Sequence, residues 1–176
     1  IALVGGLGGS VGIVTIAGTG SIVFGQNSQG VTKRVGGWGY LLGDEGGGYY
    51  IAIRGLQAAL KGYDGRGSPT TLVTDFQRYL GIKNIEGIVE IVYRRGWDVK
   101  QIAALAPIVS AAADKEDKVA KKIIRDAVEE LSGATEIVIS TLFQPHEFFE
   151  VVTIGSVWNN MINFRTRFED SIGAIA

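Results

Sequence analysis

The sequence predicts an α/β domain in which a sheet begun early in the chain is completed after a large helical block. Three short β-branched runs, separated by glycine and turn residues, lie within the first 36 residues. Helical periodicity dominates the middle of the chain, and one more β-branched run, Glu150–Ile154, follows it. Because that last strand must return to the sheet made at the start, the order excludes a helical bundle and a β-sandwich.

The first three strands are predicted to form an antiparallel meander. Residues 12–17 are a β-branched run bounded by glycines, which is typical of a buried strand. A tight glycine link joins them to a second strand at residues 21–25. The turn residues 26–30 then lead to a third strand at residues 31–35, which has polar residues on one face.

The helical block is predicted from apolar residues at 3.6-residue spacing, which occur in residues 45–60, 69–80, 85–94, 100–113 and 116–131. Asp44 is expected to cap the first of these helices, Pro69 to open the second, and Pro107 to kink the fourth. Residues 136–141 are rich in β-branched side chains, yet they follow a strong helical pattern. We predict that the helix continues through them, and that a last helix covers residues 157–168.

Composition excludes several classes of function. The 176 residues suit one domain, and 17 Lys+Arg against 18 Asp+Glu give a net charge of -1, so there is no basic excess for nucleic acid or an anionic membrane. There is no cysteine, which excludes disulfides and cysteine-ligated metal sites in this segment. The single histidine, His146, cannot build a multi-histidine metal site, and no nucleophile elbow accompanies it. No run reaches the roughly 18 apolar residues of a membrane span.

The Gly18-Thr19-Gly20-Ser21 link between the first two strands is a candidate anion site. Successive glycines allow backbone N–H groups to point outward, and no Cβ blocks an approaching anion. The alternative is a plain glycine hairpin, which the local residues alone favour.

Residues 36–48 hold seven glycines and form a second candidate site. So many glycines cost backbone entropy and indicate a close approach of the backbone to a ligand. Gly37 and Trp38 would line such a pocket, and the Asp44 carboxylate could accept hydrogen bonds from sugar hydroxyls. The alternative assigns Asp44 to a helix cap and Trp38 to the core.

Two further segments are weaker candidates. Gly155 and Ser156 follow the last strand and precede a helix, which is a frequent nucleotide-contact geometry but also an ordinary strand–helix turn. Ala103 and Ala106 belong to a small-residue helix face that could form a flat wall for an adenine ring, although such faces usually serve close helix packing.

Together the segments resemble a known family. The ordered motifs Ile-Ala-Gly-Thr-Gly-Ser, Gly-Gly-Trp-Gly, Leu-Gly-Asp-Glu-Gly, Ala-Ala-Leu-Ala-Pro and Ile-Gly-Ser-Val-Trp are similar to those of N-acetylglucosamine kinases and the related BadF/BadG/BcrA/BcrD ATPases. These proteins belong to the sugar-kinase/actin/heat-shock-chaperone superfamily, whose fold is two ribonuclease H-like lobes around an ATP cleft. The resemblance covers the whole chain.

The resemblance implies a role for each motif. Gly18, Thr19, Gly20 and Ser21 would form the second phosphate loop, while Gly37, Trp38 and Asp44 would line the sugar pocket. Gly155 and Ser156 would contact the nucleoside, opposite the face that holds Ala103 and Ala106. The implied substrates are ATP, with Mg²⁺, and an amino sugar or hexose, in a cytoplasmic enzyme that could form a homodimer.

The chain also departs from that pattern. The family's first phosphate loop is absent, and its catalytic Asp would lie just before Ile1, so we expect no catalytic residue and no metal ligand here. The expectation is a C-terminal lobe with a ribonuclease H-like sheet and a helical insertion, inactive without its N-terminal lobe. Only residues 169–171 stand where the family has a strand and a proline turn. Alternatives are a dehydratase-activating ATPase, which needs cysteines that this chain lacks, and a non-catalytic sugar- or nucleotide-sensing domain.

Overall fold

The computed structural model describes residues 11–173, which form a four-stranded mixed sheet and a set of helices. The sheet has the order β3-β2-β1-β4. Its strands are β1 (Gly12–Ala17), β2 (Ser21–Gln26), β3 (Thr32–Gly36) and β4 (Glu150–Ile154). The predicted α/β class, the antiparallel meander and the return of the last strand are all confirmed.

The pairing of the strands brings two distant chain segments to one edge. β1 pairs antiparallel with β2, so that Ala17 lies opposite Ser21, and β2 pairs antiparallel with β3. β4 instead runs parallel to β1, with Ile16 opposite Ile154. The carboxyl ends of β1 and β4 are therefore neighbours, as in open α/β sheets that bind ligands beyond that edge.

Eight helices are described in residues 11–173. They are α1 (Gly48–Tyr63), α2 (Leu72–Leu80), α3 (Gly87–Val89, which continues as a π-helix over Glu90–Arg94), α4 (Val99–Ala103), α5 (Ala106–Asp114), α6 (Lys118–Leu142), α7 (Ser156–Asn160) and α8 (Ile162–Gly173). All but α7 and α8 lie between β3 and β4, which confirms the large helical insertion.

The long helix α6 packs directly on the sheet. Val138 and Leu142 form a buried cluster with Ile13 and Val23 from the two central strands. Gly25 allows this approach, because a Cβ there would lie 2.6 Å from a methyl carbon of Val138. This packing explains why residues 136–141 continue the helix, as predicted, despite their β-branched side chains: burial outweighs local propensity.

Two predicted helix starts are wrong. Helix α1 begins at Gly48 with Gly47 as its N-cap, so Asp44 does not cap it. Asp44 has a positive φ of 59°, which takes the chain away from helical geometry before the helix begins. Helix α2 begins at Leu72, after Pro69, and its N-cap is Thr71.

Two predicted helices are each divided. Residues 100–113 form α4 and α5, with a break at Ala104 and Leu105. Pro107 lies in the first turn of α5, where the missing N–H costs no hydrogen bond, so it begins a helix and does not kink one. Residues 157–168 divide at Met161, whose φ and ψ are non-helical.

The end of the described chain is helical. Helix α8 passes without interruption through residues 169–171, which stand where the family has a strand and a proline turn. Its side chains Phe164 and Phe168 pack on Trp158 with ring centroids 5.3 and 4.8 Å away. Between residues 11 and 173, no helix combines the length and the apolar character that a membrane span requires.

Candidate active site

The candidate site is built around the link that joins β1 to β2. Gly155, at the end of β4, has a φ of +126°, a conformation that L side chains rarely adopt. A Cβ at this position would lie 2.2 Å from the carbonyl oxygen of Ala17. Glycine therefore lets the turn after β4 lie directly against the start of the link.

Helix α1 is hydrogen-bonded to the same link. The backbone N–H of Gly48 donates to the carbonyl of Gly18 at 2.8 Å, and the N–H of Tyr49 donates to the carbonyl of Thr19 at 2.9 Å. Within the link, the N–H of Gly18 donates to the carbonyl of Gly20 at 2.9 Å. The Gly18 N–H is thus used inside the hairpin and is not one of the predicted outward donors.

A cavity of about 300 Å³ opens beside the link. Five of the eight residues predicted to contact a nucleotide line it: Gly18, Thr19, Ala103, Ala106 and Ser156. The structure brings them together from the link, α4, α5 and α7, which are far apart in sequence. Its size and mixed lining suit a small polar ligand.

Two lining residues with polar side chains escaped the sequence analysis. Lys100 precedes Ala103 by three positions on α4, and Asn160 follows Ser156 by four positions on α7. Residues at these spacings share a helix face, so both could have been inferred from the predicted pair on each helix. Lys100 supplies the cavity's only charged lining group among the described residues.

The remaining predicted nucleotide residues have structural positions around the cavity. The Ser21 hydroxyl is buried and donates to the Glu45 carbonyl at 2.6 Å, which ties β2 to the glycine-rich segment. Gly20 lies against Asp44, and Gly155 packs on Ala17. These three residues shape the site and are not among the residues that line the cavity.

Asp44 lies against Gly20 of the link and is not among the residues that line the cavity. A Cβ on Gly20 would be 2.1 Å from Oδ2 of Asp44, so only glycine allows the carboxylate to sit against the link. The other oxygen, Oδ1, accepts a hydrogen bond from the N–H of Gly39 at 3.1 Å. Asp44 therefore organises the glycine-rich loop and leaves part of its carboxylate beside Gly20.

Trp38 is exposed, which contradicts the alternative that placed it in the core. Its side chain is 65% exposed, and the Arg34 guanidinium carbon lies 4.4 Å from the ring centroid. Gly37 precedes it with a φ of +70°, and a Cβ there would lie 2.6 Å from a carbon of Ile22. Gly37 thus packs on β2 and presents Trp38 outward as an available aromatic wall.

The glycine-rich loop is also fastened to helix α1. The ring of Tyr40 meets that of Tyr49 edge-on, with centroids 5.0 Å apart. Burial raises the pKa of Tyr49, and the nearby Tyr40 and Tyr93 add to the effect, so the Tyr49 hydroxyl stays protonated at neutral pH.

No group of three or more His, Cys, Asp or Glu side chains in residues 11–173 could hold a metal ion.

Comparison with known proteins gives the family. Residues 1–173 match the BadF/BadG/BcrA/BcrD ATPase family. The chain belongs to that family. The match includes the link, the glycine-rich loop and the turn after β4, which together form the candidate site of this BadF/BadG/BcrA/BcrD ATPase family member.

Two curated relatives are sugar kinases by name. The N-acetylmuramic acid/N-acetylglucosamine kinase of Clostridium acetobutylicum is 41% identical over 161 residues, which are 92% of this chain and 53% of the relative. The N-acetyl-D-glucosamine kinase of Dictyostelium discoideum is 34% identical over 160 residues, or 88% of this chain and 50% of the relative. The chain therefore spans about half the length of the curated relatives it matches.

Solved structures share the fold of this family member. A candidate N-acetylglucosamine kinase from Chromobacterium violaceum superposes with a TM-score of 0.75 at 26% identity, covering 99% of this chain and 62% of the other. A second, from Porphyromonas gingivalis, superposes with a TM-score of 0.72 at 23% identity and supports the fold alone. The α/β fold of the chain is thus that of sugar kinases.

Proposed function

We propose that the chain is the C-terminal lobe of an ATP-dependent kinase that phosphorylates a hydroxyl of an amino sugar or hexose. One observation carries the proposal: the Gly18–Gly20 link lines the cavity with Gly18 and Thr19 and meets the Asp44 carboxylate at Gly20. A nucleotide in the cavity would place its terminal phosphate at the link, next to a sugar held by Asp44. Phosphoryl transfer requires such positioning.

On the nucleotide side, the hydroxyl of Thr19 and the backbone of the link would contact the phosphates of ATP. Ala103 and Ala106 are small and buried, so they offer a flat wall on which an adenine ring could lie. Ser156 would contact the nucleoside. The ammonium group of Lys100 adds a positive charge that would favour the anionic nucleotide over a neutral ligand.

On the sugar side, Asp44 would accept hydrogen bonds from sugar hydroxyls, and Trp38 would form an apolar wall against the ring. The exposure of Trp38 and the fixed orientation of Asp44 toward Gly20 support these roles. The names of the curated relatives favour an N-acetylated amino sugar.

The general base and the second half of the phosphate cradle would come from an N-terminal lobe. Mg²⁺ would arrive with ATP and neutralise phosphate charge, since the described residues form no carboxylate cluster that would hold it. We therefore expect the 176-residue chain alone to show no kinase turnover. We place the complete enzyme in the cytoplasm, where ATP is supplied.

The role of Thr19 is tested by Thr19→Val in the complete protein. Valine keeps the shape of threonine and removes the hydroxyl, so we expect nucleotide use to fall by about 10- to 150-fold, the value of one hydrogen bond to a charged group. The measurement is kcat and KM for ATP at saturating sugar.

The matched control is Thr32→Val, which removes an exposed hydroxyl from the first residue of β3. Thr32 pairs with Gln26, at the end of β2 that is remote from the link. It should leave ATP kinetics and the melting temperature near those of the wild type. Wild-type ATP kinetics in Thr19→Val, with an unchanged melting temperature, would remove Thr19 from the site.

A further inference from the structure

A second and larger cavity lies away from the candidate active site. Its volume is about 580 Å³, and it is enclosed by helix α1, residues 67–69 and the first turns of helix α6. It shares no lining residue with the cavity beside the link. We call it the basic groove, because its lining includes Arg54, Lys61, Lys118 and Lys122 against one carboxylate.

Three of the four cations that line the basic groove have no ion pair among the described residues. Its one carboxylate, Asp126, pairs with Lys122 at 2.5 Å. Among the described residues, neither Lys61 nor Lys118 has an ion pair, and Arg54 lies over the Tyr50 ring at 5.0 Å from the centroid. An excess of three charges in one groove contrasts with the net charge of -1 for the whole chain.

The location of Lys118 opposes helix stability. It is the first residue of α6, and the first turn of that helix holds no acidic residue. The helix macrodipole places partial positive charge at the helix N-terminus. It therefore disfavours cations there and favours acidic residues. The first two turns nevertheless carry Lys118, Lys121, Lys122 and Arg125. The N-cap Asp117 offsets part of this effect, and Lys121 and Lys122 form ion pairs, but Lys118 has none among the described residues.

The wall formed by residues 67–69 is held at its start by the Gly67 N–H, which donates to the Lys61 carbonyl at 2.9 Å, and beyond its end by Asp117. One oxygen of Asp117 accepts from the N–H groups of Val119 and Ala120, and the other accepts from the Thr70 hydroxyl at 3.0 Å and the Thr71 N–H at 2.7 Å. Burial opposes ionisation, but these hydrogen bonds outweigh it and hold the pKa of Asp117 below its usual value. Asp117 thus accepts from two of the free N–H groups at the start of α6. A ligand in the basic groove would therefore contact lysine side chains and not these amides.

The floor of the basic groove is apolar. Ala58, Val119 and Ile123 line it between the charged groups. Burial raises the pKa of the Tyr50 hydroxyl, against the opposing effect of Arg54, so Tyr50 is neutral at pH 7 and can donate a hydrogen bond. The groove therefore combines cations with a surface that suits an organic group.

We propose that the basic groove binds a small phosphate ester, with its phosphate on Lys61 and Lys118 and its organic part on the apolar floor. A phosphate monoester carries nearly two negative charges at neutral pH, which complements the excess positive charge. The volume lies within the range of small-molecule pockets, and the concave shape favours a small ligand over an extended polyanion. The site would be separate from ATP and sugar binding.

Isothermal titration calorimetry on the complete protein, at fixed ionic strength, tests the proposal with glucose 6-phosphate and inorganic phosphate as probes. Glucose 6-phosphate should bind more tightly than inorganic phosphate, because only the ester covers the floor. Lys61→Gln with Lys118→Gln should weaken its binding at least about tenfold, since two charge-assisted contacts are lost.

The control pair, Lys33→Gln with Lys83→Gln, makes the same charge change outside the basic groove. It should bind glucose 6-phosphate within twofold of the wild type, and both pairs should melt no lower than the wild type. The proposal would be overturned if both pairs of substitutions weakened glucose 6-phosphate binding equally, or if Lys61→Gln with Lys118→Gln left it unchanged. It would also be overturned if the two probes bound with equal affinity, or if neither bound.

Discussion

Replacing Asp44 with alanine in the complete protein is expected to reduce kcat/KM for the sugar by about 10- to 150-fold, the value of one or more hydrogen bonds to a charged acceptor. The KM for ATP should change little, because Asp44 is not among the residues that line the proposed nucleotide cavity. Steady-state kinetics with each substrate varied in turn measure both effects.

Asp44→Asn separates the charge from the loop geometry. Asparagine tolerates the positive φ of 59° and keeps an oxygen to accept from the Gly39 N–H. It should therefore preserve the melting temperature while still weakening sugar use. If both variants kept wild-type kcat/KM for the sugar, Asp44 would be a loop-organising residue only.

Gly155→Ala is expected to destabilise the fold by roughly 3–5 kcal/mol, which is the range of severe single substitutions. The new Cβ would meet the Ala17 carbonyl oxygen at 2.2 Å in a backbone conformation that alanine rarely adopts. Because Ala17 leads directly into Gly18, relief of the clash would also displace the link. Urea unfolding followed by circular dichroism gives the free energy of unfolding.

The matched control for this substitution is Gly133→Ala. Gly133 lies within helix α6, is exposed, and has no atom within 4 Å of an added Cβ. The same change there should stabilise the fold by about 0.4–1 kcal/mol through the entropy of the unfolded chain. Equal stabilities for Gly155→Ala and the wild type would contradict the packing of the turn after β4 against the link.

Most of the fold could be predicted from the sequence, because its strands are short, β-branched and bounded by glycine. It could not show where α1 starts, since the backbone of Asp44 takes a positive φ and Gly47 becomes the cap. The division between α4 and α5 also depends on packing, as Leu105 turns inward and is buried at the break. Tertiary contacts decide such boundaries, and local propensity does not.

The candidate site was predictable to a similar degree. Glycine motifs identified the link and the turn after β4, because positions where two backbone segments approach closely require glycine. Lys100 and Asn160 were missed because their residue types are ordinary on exposed helices, although their spacing to Ala103 and Ser156 on the helices could have indicated them. The exposure of Trp38 likewise depends on how Gly37 packs against Ile22.

A coupled assay of ADP release by the complete protein, run over a panel of sugars, tests the central claim most directly. The panel is N-acetylglucosamine, N-acetylmuramic acid, glucosamine and glucose, and mass spectrometry of the products identifies any phosphorylated sugar. We predict that ADP release requires sugar, that one phosphosugar forms for each ADP, and that an amino sugar gives the highest kcat/KM. ADP release that is independent of every sugar, or the absence of any phosphosugar, would contradict a sugar kinase.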